Sequence, residues 1–322
     1  MSARLDPEVL AGLVAAVQAI GATPPERVDI ASLRAQTALT FPYYGSLVPA
    51  QPDVTVDDHL VERADGSTLL VRRFTPPEPA LRLDGRTAAA IYVHGGGMVC
   101  ASVDDYGPLL ARYAAESGVP LLAVDYRLAP EHPAPAALDD TIAALDWTLA
   151  HADALGIDPA AVGLMGDSGG GGIAVAAALA WRDRGRPPLA GLVLPYPMLD
   201  DRTRTAEPHL EGLATWTPEA NAVAWDAVLG GAEAGPDGYV APARAADLAG
   251  LPPTYLDTGD LDLFRAEILT FAARLSAAGV PLELHVVPGC VHAFEIAVPQ
   301  ARVSQQVLTA RYGALRRLAT GG

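Results

Sequence analysis

Six short, largely apolar runs recur between positions 88 and 287: AAAIYV (88–93), PLLAVDY (120–126), AVGLMG (161–166), AGLVLPY (190–196), PTYLDTG (253–259) and PLELHVV (281–287). A strand with one wet face alternates apolar and polar residues, whereas most of these runs are apolar at nearly every position. They therefore need cover on both faces. Alanine-rich helical stretches near 105–117, 134–151, 169–184, 263–278 and 301–318 supply it. Strand and helix in alternation predict an α/β fold, a mostly parallel central sheet with helices on both faces. Ahead of this series, VTVDDHLVE and TLLVRRF are joined across Asp65-Gly66, the signal of a hairpin.

Two segments stand outside the rhythm. Near the start, Asp6-Pro7-Glu8 reads as an N-cap, a first helical proline and a first-turn acid, so a surface helix follows rather than a signal peptide. Residues 200–240 carry charges, turns and one helical segment (218–229) but no strand, and read as an insertion above the sheet. No apolar run approaches the ~18 residues of a membrane span. A formal charge of −16 opposes binding to nucleic acid or anionic lipid and favours neutral or cationic small partners. The expected compartment is the cytoplasm. Cys100 and Cys290 are the two cysteines, without a CxxC, so two reduced thiols are expected, with neither a disulfide framework nor a zinc site.

The stretch GLMGDSGGGGIAVAAALAWR (163–182) puts four glycines, Gly169 to Gly172, where a helix begins. Glycine costs a helix interior about 0.5–1 kcal/mol per residue relative to alanine, so something else requires it. A dinucleotide cradle is one reading, since Gly169–Ala174 fits G-x-G-x-x-A; but the motif lies mid-chain, and no acid closes the strand near 194–196. A P-loop lacks G-K-[ST]. The nucleophile elbow is the other reading, since Gly166-Asp167-Ser168-Gly169-Gly170 fits G-x-S-x-G between a strand and a helix. The chain also supplies the partners that such a serine needs. His94-Gly95-Gly96-Gly97 follows a strand and offers serial backbone N–H groups for an oxyanion hole. Asp257, Asp260 and Asp262 lie at or just past the next-to-last strand, and His292 just past the last. The order Ser…Asp…His is that of the α/β-hydrolases.

With HGGGM (94–98), DYRLAPEHPAPAALDD (125–140), GDSGGG (166–171), YPMLD (196–200), DLDLFRAE (260–267) and PGCVHAF (288–294), the chain resembles the hormone-sensitive-lipase-like (family IV) carboxylesterases of the α/β-hydrolase superfamily from about residue 40 onward. The resemblance implies a helical cap. Residues 1–50 form its N-terminal segment and 200–240 its insertion, with core from 51–199 and 241–322. It implies Ser168 as nucleophile, His292 as general base, and N–H donors from Gly96, Gly97 and Gly169, with His94 supporting the oxyanion loop. The family's acid opens a D-x-L-R-D-like stretch, which places it at Asp262 and leaves Asp260 as a loop-end acid. Gly169 stands where the family has alanine, Ala293 replaces the glycine after the histidine, and Ala266 the second acid of that stretch. None of the three removes a catalytic group.

Arg127 and Glu131 are expected to form an ion pair near the site, and His285 to be a satisfied strand residue. His59, His132, His151 and His209 show no ligand spacing. Trp216 and Trp225 fit an acyl pocket and the packing of a small cap equally well. The expected activity is hydrolysis of short or compact acyl esters by an acyl-enzyme route that needs no cofactor or metal. The partner is a small-molecule ester, and because family members are often dimers the resemblance admits a homodimer. Relatives of this fold that act as dehydratases or as non-catalytic receptors are the alternatives. The receptors have lost the histidine that His292 matches, and some of the dehydratases have another residue at the serine's place.

Overall fold

The structure, a computed structural model, describes residues 4–320 apart from 22, 24, 81, 83 and 211. Its strands are β1 (Thr55–Glu62), β2 (Thr68–Thr75), β3 (Thr87–Val93), β4 (Leu121–Val124), β5 (Ile157–Gly166), β6 (Leu192–Pro195), β7 (Thr254–Gly259) and β8 (Leu282–Val287). They form one sheet in the order β1-β2-β4-β3-β5-β6-β7-β8. β1 pairs with β2 and β2 with β4 antiparallel, and every other pairing is parallel. The helices are α1 (Pro7–Ile20), α2 (Ile30–Ser46), α3 (Val103–Ser117), α4 (Ala136–Ala150), α5 (Ala152–Leu155), α6 (Ser168–Asp183), α7 (Pro218–Leu229), α8 (Arg265–Ala277), α9 (Phe294–Ala297) and α10 (Arg302–Thr320).

Burial on both faces is visible in β3, which is buried throughout. Its Ala89, Ile91 and Val93 face the core shared with α4, α6 and α8, while Ala88, Ala90 and Tyr92 face the core shared with α3 and α10. β8, at the sheet's edge, is half-exposed along its length, which explains why its sequence carries Glu283 and His285. His285 pairs there with Glu283, Nε2 to Oε1 at 2.7 Å.

α6 is buried from Ser168 to Trp181 and runs through the middle of the molecule. Its glycines are required by close approach. A Cβ on Gly170 would collide with the carbonyl oxygens of Val93 and His94, and one on Gly172 with the carbonyl of Met198. The first turn of α6 thus packs backbone against backbone on the end of β3 and on the loop after β6.

α1 begins as its sequence indicates, with the Asp6 carboxylate accepting from the N–H groups of Glu8 and Val9. α2 was not legible beforehand. It contains Pro42, and its apolar residues follow no helical period. A capping box between Asp29 and Ser32 starts it, and Phe41 packs on Tyr106 of α3 at 5.1 Å between ring centroids. Residues 200–240 hold α7 and a 3₁₀ turn (Pro208–Leu210) and no strand among the described residues.

Candidate active site

β5 ends at Gly166 and α6 begins at Ser168, so one residue, Asp167, makes the turn. Ser168 adopts φ 52°, in the left-handed region. A non-glycine residue held there costs on the order of 1–3 kcal/mol, and such strain is retained only where the surroundings over-determine it. The surroundings here are the glycine helix start and the loop after β3. A Cβ on Gly169 would lie 2.9 Å from the Met98 nitrogen and 3.0 Å from Gly97 Cα. The serine turn and the glycine loop are therefore in direct contact.

The structure brings three of the expected residues into one hydrogen-bonded line. Ser168 Oγ lies 2.9 Å from His292 Nε2, and His292 Nδ1 lies 2.8 Å from Asp262 Oδ2. The other oxygen of Asp262 accepts from the Phe264 N–H at 2.9 Å. A carboxylate can only accept, so Nδ1 carries the proton and Nε2 faces the serine hydroxyl as an acceptor. Tyr196 and Phe264 meet the imidazole edge-on, with centroids at 4.7 and 5.1 Å. Asp262 is fully buried, and Ser168 and His292 keep 6% and 9% of their surface.

The other two acids have separate partners. Asp260 Oδ1 accepts from the Gly289 N–H at 2.6 Å and so props the loop that carries His292. Asp257 forms a buried two-pronged pair with Arg311 at 2.7 and 2.8 Å. Arg311 also donates to Glu295 and to the Tyr113 hydroxyl, and its guanidinium lies over the Tyr196 ring. Sequence reasoning missed this cluster. Its signal was available: Leu308, Arg311, Leu315 and Leu318 share one face of α10, so an arginine interrupts an apolar stripe.

The glycine loop has positive φ at Gly96 (103°), Gly97 (59°) and Met98 (64°). Gly96 O accepts from the N–H groups of Val99 and Cys100, both at 3.1 Å. His94 stacks on Tyr126 at 4.2 Å, and Tyr126 OH donates to the His94 carbonyl at 2.9 Å. Burial lowers the His94 pKa, leaving a neutral ring. Nδ1 donates to the Gly95 carbonyl at 2.8 Å, while Nε2 is buried without a partner.

Asp167 sits beneath this loop. It accepts from the hydroxyls of Tyr92 and of Tyr106, the latter at 2.8 Å. Burial pushes its carboxyl up to about 6, against the pull of the two hydroxyls. The folded protein thus holds this proton more tightly than the unfolded chain, where an aspartate titrates near 3.9. The group's stabilising contribution, on the order of 3 kcal/mol, is complete below about pH 4 and is lost as pH rises through 6. Asp167→Asn removes that dependence, so its Tm relative to the native protein should climb by about 5 °C between pH 4 and pH 7. Parallel Tm curves would show that the carboxyl is not held up.

One expected ion pair is corrected. Arg127 does not pair with Glu131, because its guanidinium is drawn to the buried Asp140 of α4 at 2.9 Å. Glu131 pairs instead with Arg34 of α2 at 2.6 Å. Trp225 is fully buried and belongs to the core. Trp216 lies against Gly97, with ring atoms 2.7 Å from where a Cβ would stand, and donates to Asn221 at 3.1 Å. Cys100 and Cys290 are free thiols. Among the described residues no group of three or more His, Cys, Asp or Glu side chains is placed to hold a metal ion, and no helix is long and apolar enough to cross a membrane.

The chain is similar to proteins of known family. Residues 90–296 match a family described as alpha/beta hydrolase fold. Carboxylesterase NlhH of Mycobacterium tuberculosis is 35% identical over 266 residues, spanning 78% of this chain and 79% of that one. Ethyl acetate hydrolase of Pseudomonas putida is 34% identical over 251 residues, 76% of each. A crystal structure of an esterase from the bacterial hormone-sensitive lipase family superposes with a TM-score of 0.81 at 28% identity, covering 98% of this chain and 99% of that one. The chain belongs to the α/β-hydrolase fold family, in its hormone-sensitive-lipase-like branch.

Proposed function

We propose that this protein is a serine carboxylesterase for short or compact acyl esters. The observation that carries the reading is the unbroken line from Asp262 through His292 to Ser168, set against a glycine loop that touches the serine's own turn. Ser168 Oγ attacks the ester carbonyl while His292 Nε2 takes its proton, and Asp262 holds the tautomer and balances the imidazolium. The N–H groups of Gly96, Gly97 and Gly169 receive the oxyanion. The intermediate collapses, the alcohol leaves with the proton from His292, and an acyl-Ser168 remains. Water, deprotonated by the same imidazole, then releases the acid.

Both expected cap segments reach the loops that carry this chemistry, which supports reading 1–50 and 200–240 as a cap on a core of 51–199 and 241–322. Asp6 N–H of the first segment donates to the Gly289 carbonyl at 2.8 Å, and Arg34 Nε donates to the Val99 carbonyl at 2.8 Å. From the insertion, Thr215 Oγ1 donates to the His292 carbonyl at 2.9 Å, and Trp216 lies on Gly97.

A roofed site bounds the substrate. Enclosed small-molecule sites hold about 300–1,000 Å³, room for a small ester but not for three long chains. Each methylene that fits adds up to about 0.8 kcal/mol, so rates should climb with acyl length and then fall where the pocket ends. On p-nitrophenyl esters from C2 to C16, kcat/KM is expected to peak and drop before about ten carbons. A maximum at C14–C16, or activation on emulsified triglyceride, would refute the short-chain reading. A similar protein that is named an ethyl acetate hydrolase fits the same range.

A further inference from the structure

Two hydrogen bonds hold the His292 imidazole in line, Nδ1 to Asp262 and Nε2 to Ser168. Bonds at opposite ends of a ring fix where it sits, but rolling the ring about the line between them changes their angles little. The flanking rings must set the roll. Phe264 is one of them, and its N–H is bonded to Asp262, so it travels with the acid. Tyr196 is the other, and it comes from the loop after β6.

Tyr196 is itself held from several sides. Its φ of 33° is left-handed, a costly setting for a non-glycine residue that persists only where the surroundings over-determine it. Its N–H donates to the Asp257 carbonyl at 2.7 Å, and two residues on the Met198 N–H donates to the Ser168 carbonyl at 2.8 Å. Burial raises the pKa of its hydroxyl well above the ordinary value, so the hydroxyl keeps its proton and donates to Glu295 Oε1. The Arg311 guanidinium donates to that same oxygen and lies over the Tyr196 ring, 5.1 Å from its centroid. Glu295 Oε2 is buried with no partner, so this carboxylate is placed for what Oε1 binds. Tyr196 and Glu295 keep 1% of their surface and Arg311 none, too little for contact with an ester.

A buried ion pair is weak evidence for stability, since apolar residues of like volume often serve as well. What this cluster does supply is direction: a tyrosine ring that cannot turn, T-shaped against the base at 4.7 Å. We propose that Tyr196 is a positioning residue for the reaction, anchored by Glu295 and Arg311 so that its ring sets the roll of the His292 imidazole. The inference rests on the esterase reading and adds the part that keeps the base aimed. An imidazole free to roll turns its Nε2 lone pair away from the serine Oγ, and a misplacement of about 1 Å can cost 10²-fold in rate.

The test compares Tyr196→Leu, which removes the ring, with Tyr196→Phe, which keeps the ring and cuts its anchor. kcat and KM are measured on p-nitrophenyl acetate, and active sites are counted by the organophosphate adduct on Ser168, so unfolded protein drops out. In Tyr196→Leu, kcat per site should fall on the order of 10²-fold with KM unchanged. Tyr196→Phe should lose about tenfold, the upper worth of an oriented aromatic pair. The rate of adduct formation should fall in the same order, because it needs the same base. Glu295→Ala should match Tyr196→Phe, and Glu295→Gln, which keeps an acceptor for the hydroxyl, should recover part of that loss. Since both act through one bond, Tyr196→Phe combined with Glu295→Ala should lose no more than either alone.

Native kcat per site in both Tyr196 variants, with the change confined to Tm, overturns the proposal. So does a loss carried by KM alone, or additive losses in the double variant. Where Tyr196→Leu does not fold, Tyr196→Phe and the double variant decide. Native protein that neither cleaves p-nitrophenyl acetate nor takes an adduct on Ser168 would overturn the esterase reading and the positioning role with it. An active native enzyme with unmoved variants would sink the positioning role alone.

Discussion

Ser168→Ala should lower kcat by roughly 10³-fold or more while leaving the fold intact. Such a loss corresponds to a barrier raised by about 4 kcal/mol or more. The reason is that the hydroxyl forms the bond, so no neighbour replaces it. What survives is the background from oxyanion donors and binding, which still orient an ester for attack by water. The same position should be the one labelled by an organophosphate, since the reagent needs a nucleophile whose proton is drawn off by His292 Nε2 at 2.9 Å. Intact-protein mass and peptide mapping decide it. An active enzyme that the reagent inhibits without an adduct on Ser168 would end the mechanism.

Asp262→Asn should cost roughly 10³–10⁴-fold in kcat, and Asp260→Asn far less. Asparagine at 262 preserves size and one acceptor, but its amide can donate to Nδ1 and so favours the tautomer that turns an N–H toward the serine. His292 then has no lone pair for the serine proton. Asp260 touches the Gly289 N–H instead, so its loss loosens the loop without inverting the imidazole. Comparing kcat for the two variants on one ester is sufficient: equal losses, or the reverse order, would mean that the wrong carboxylate has been assigned.

The sheet was legible because a strand covered on both faces can hardly be written otherwise. β3, β7 and β8 coincide closely with the runs that marked them, β5 starts four residues before its run, and Asp65-Gly66 fell between β1 and β2 as a hairpin requires. α2 was hidden for a physical reason. Phe41 docks on Tyr106 and Leu33 is buried, so tertiary contact overrides a pattern with a proline and no period. At the site, the residue types named the chemistry while the spacing of Asp257, Asp260 and Asp262 left three acids near one strand end. Only the fold separates them, by giving Asp257 a buried arginine, Asp260 a backbone amide and Asp262 the imidazole. The pairing of Arg127 with Asp140 was equally out of reach, because nothing local says that α4 turns that carboxylate inward.

The docking of α1 bears on the order in which the protein is made. Val9 is fully buried in one apolar cluster with Leu261, Cys290, Val291 and Phe294, and Asp6 binds the Gly289 carbonyl. At about 5–20 residues per second, α1 emerges from the ribosome tens of seconds before residue 289 exists. Until then Val9 has no lid and Ser168 has no base. The finished triad and the shelter for α1 come from the same late segment, so a chain that stalls before it displays a sticky helix and an inert serine together. Quality control that reads exposed apolar surface would thereby remove the molecules that cannot yet hydrolyse anything.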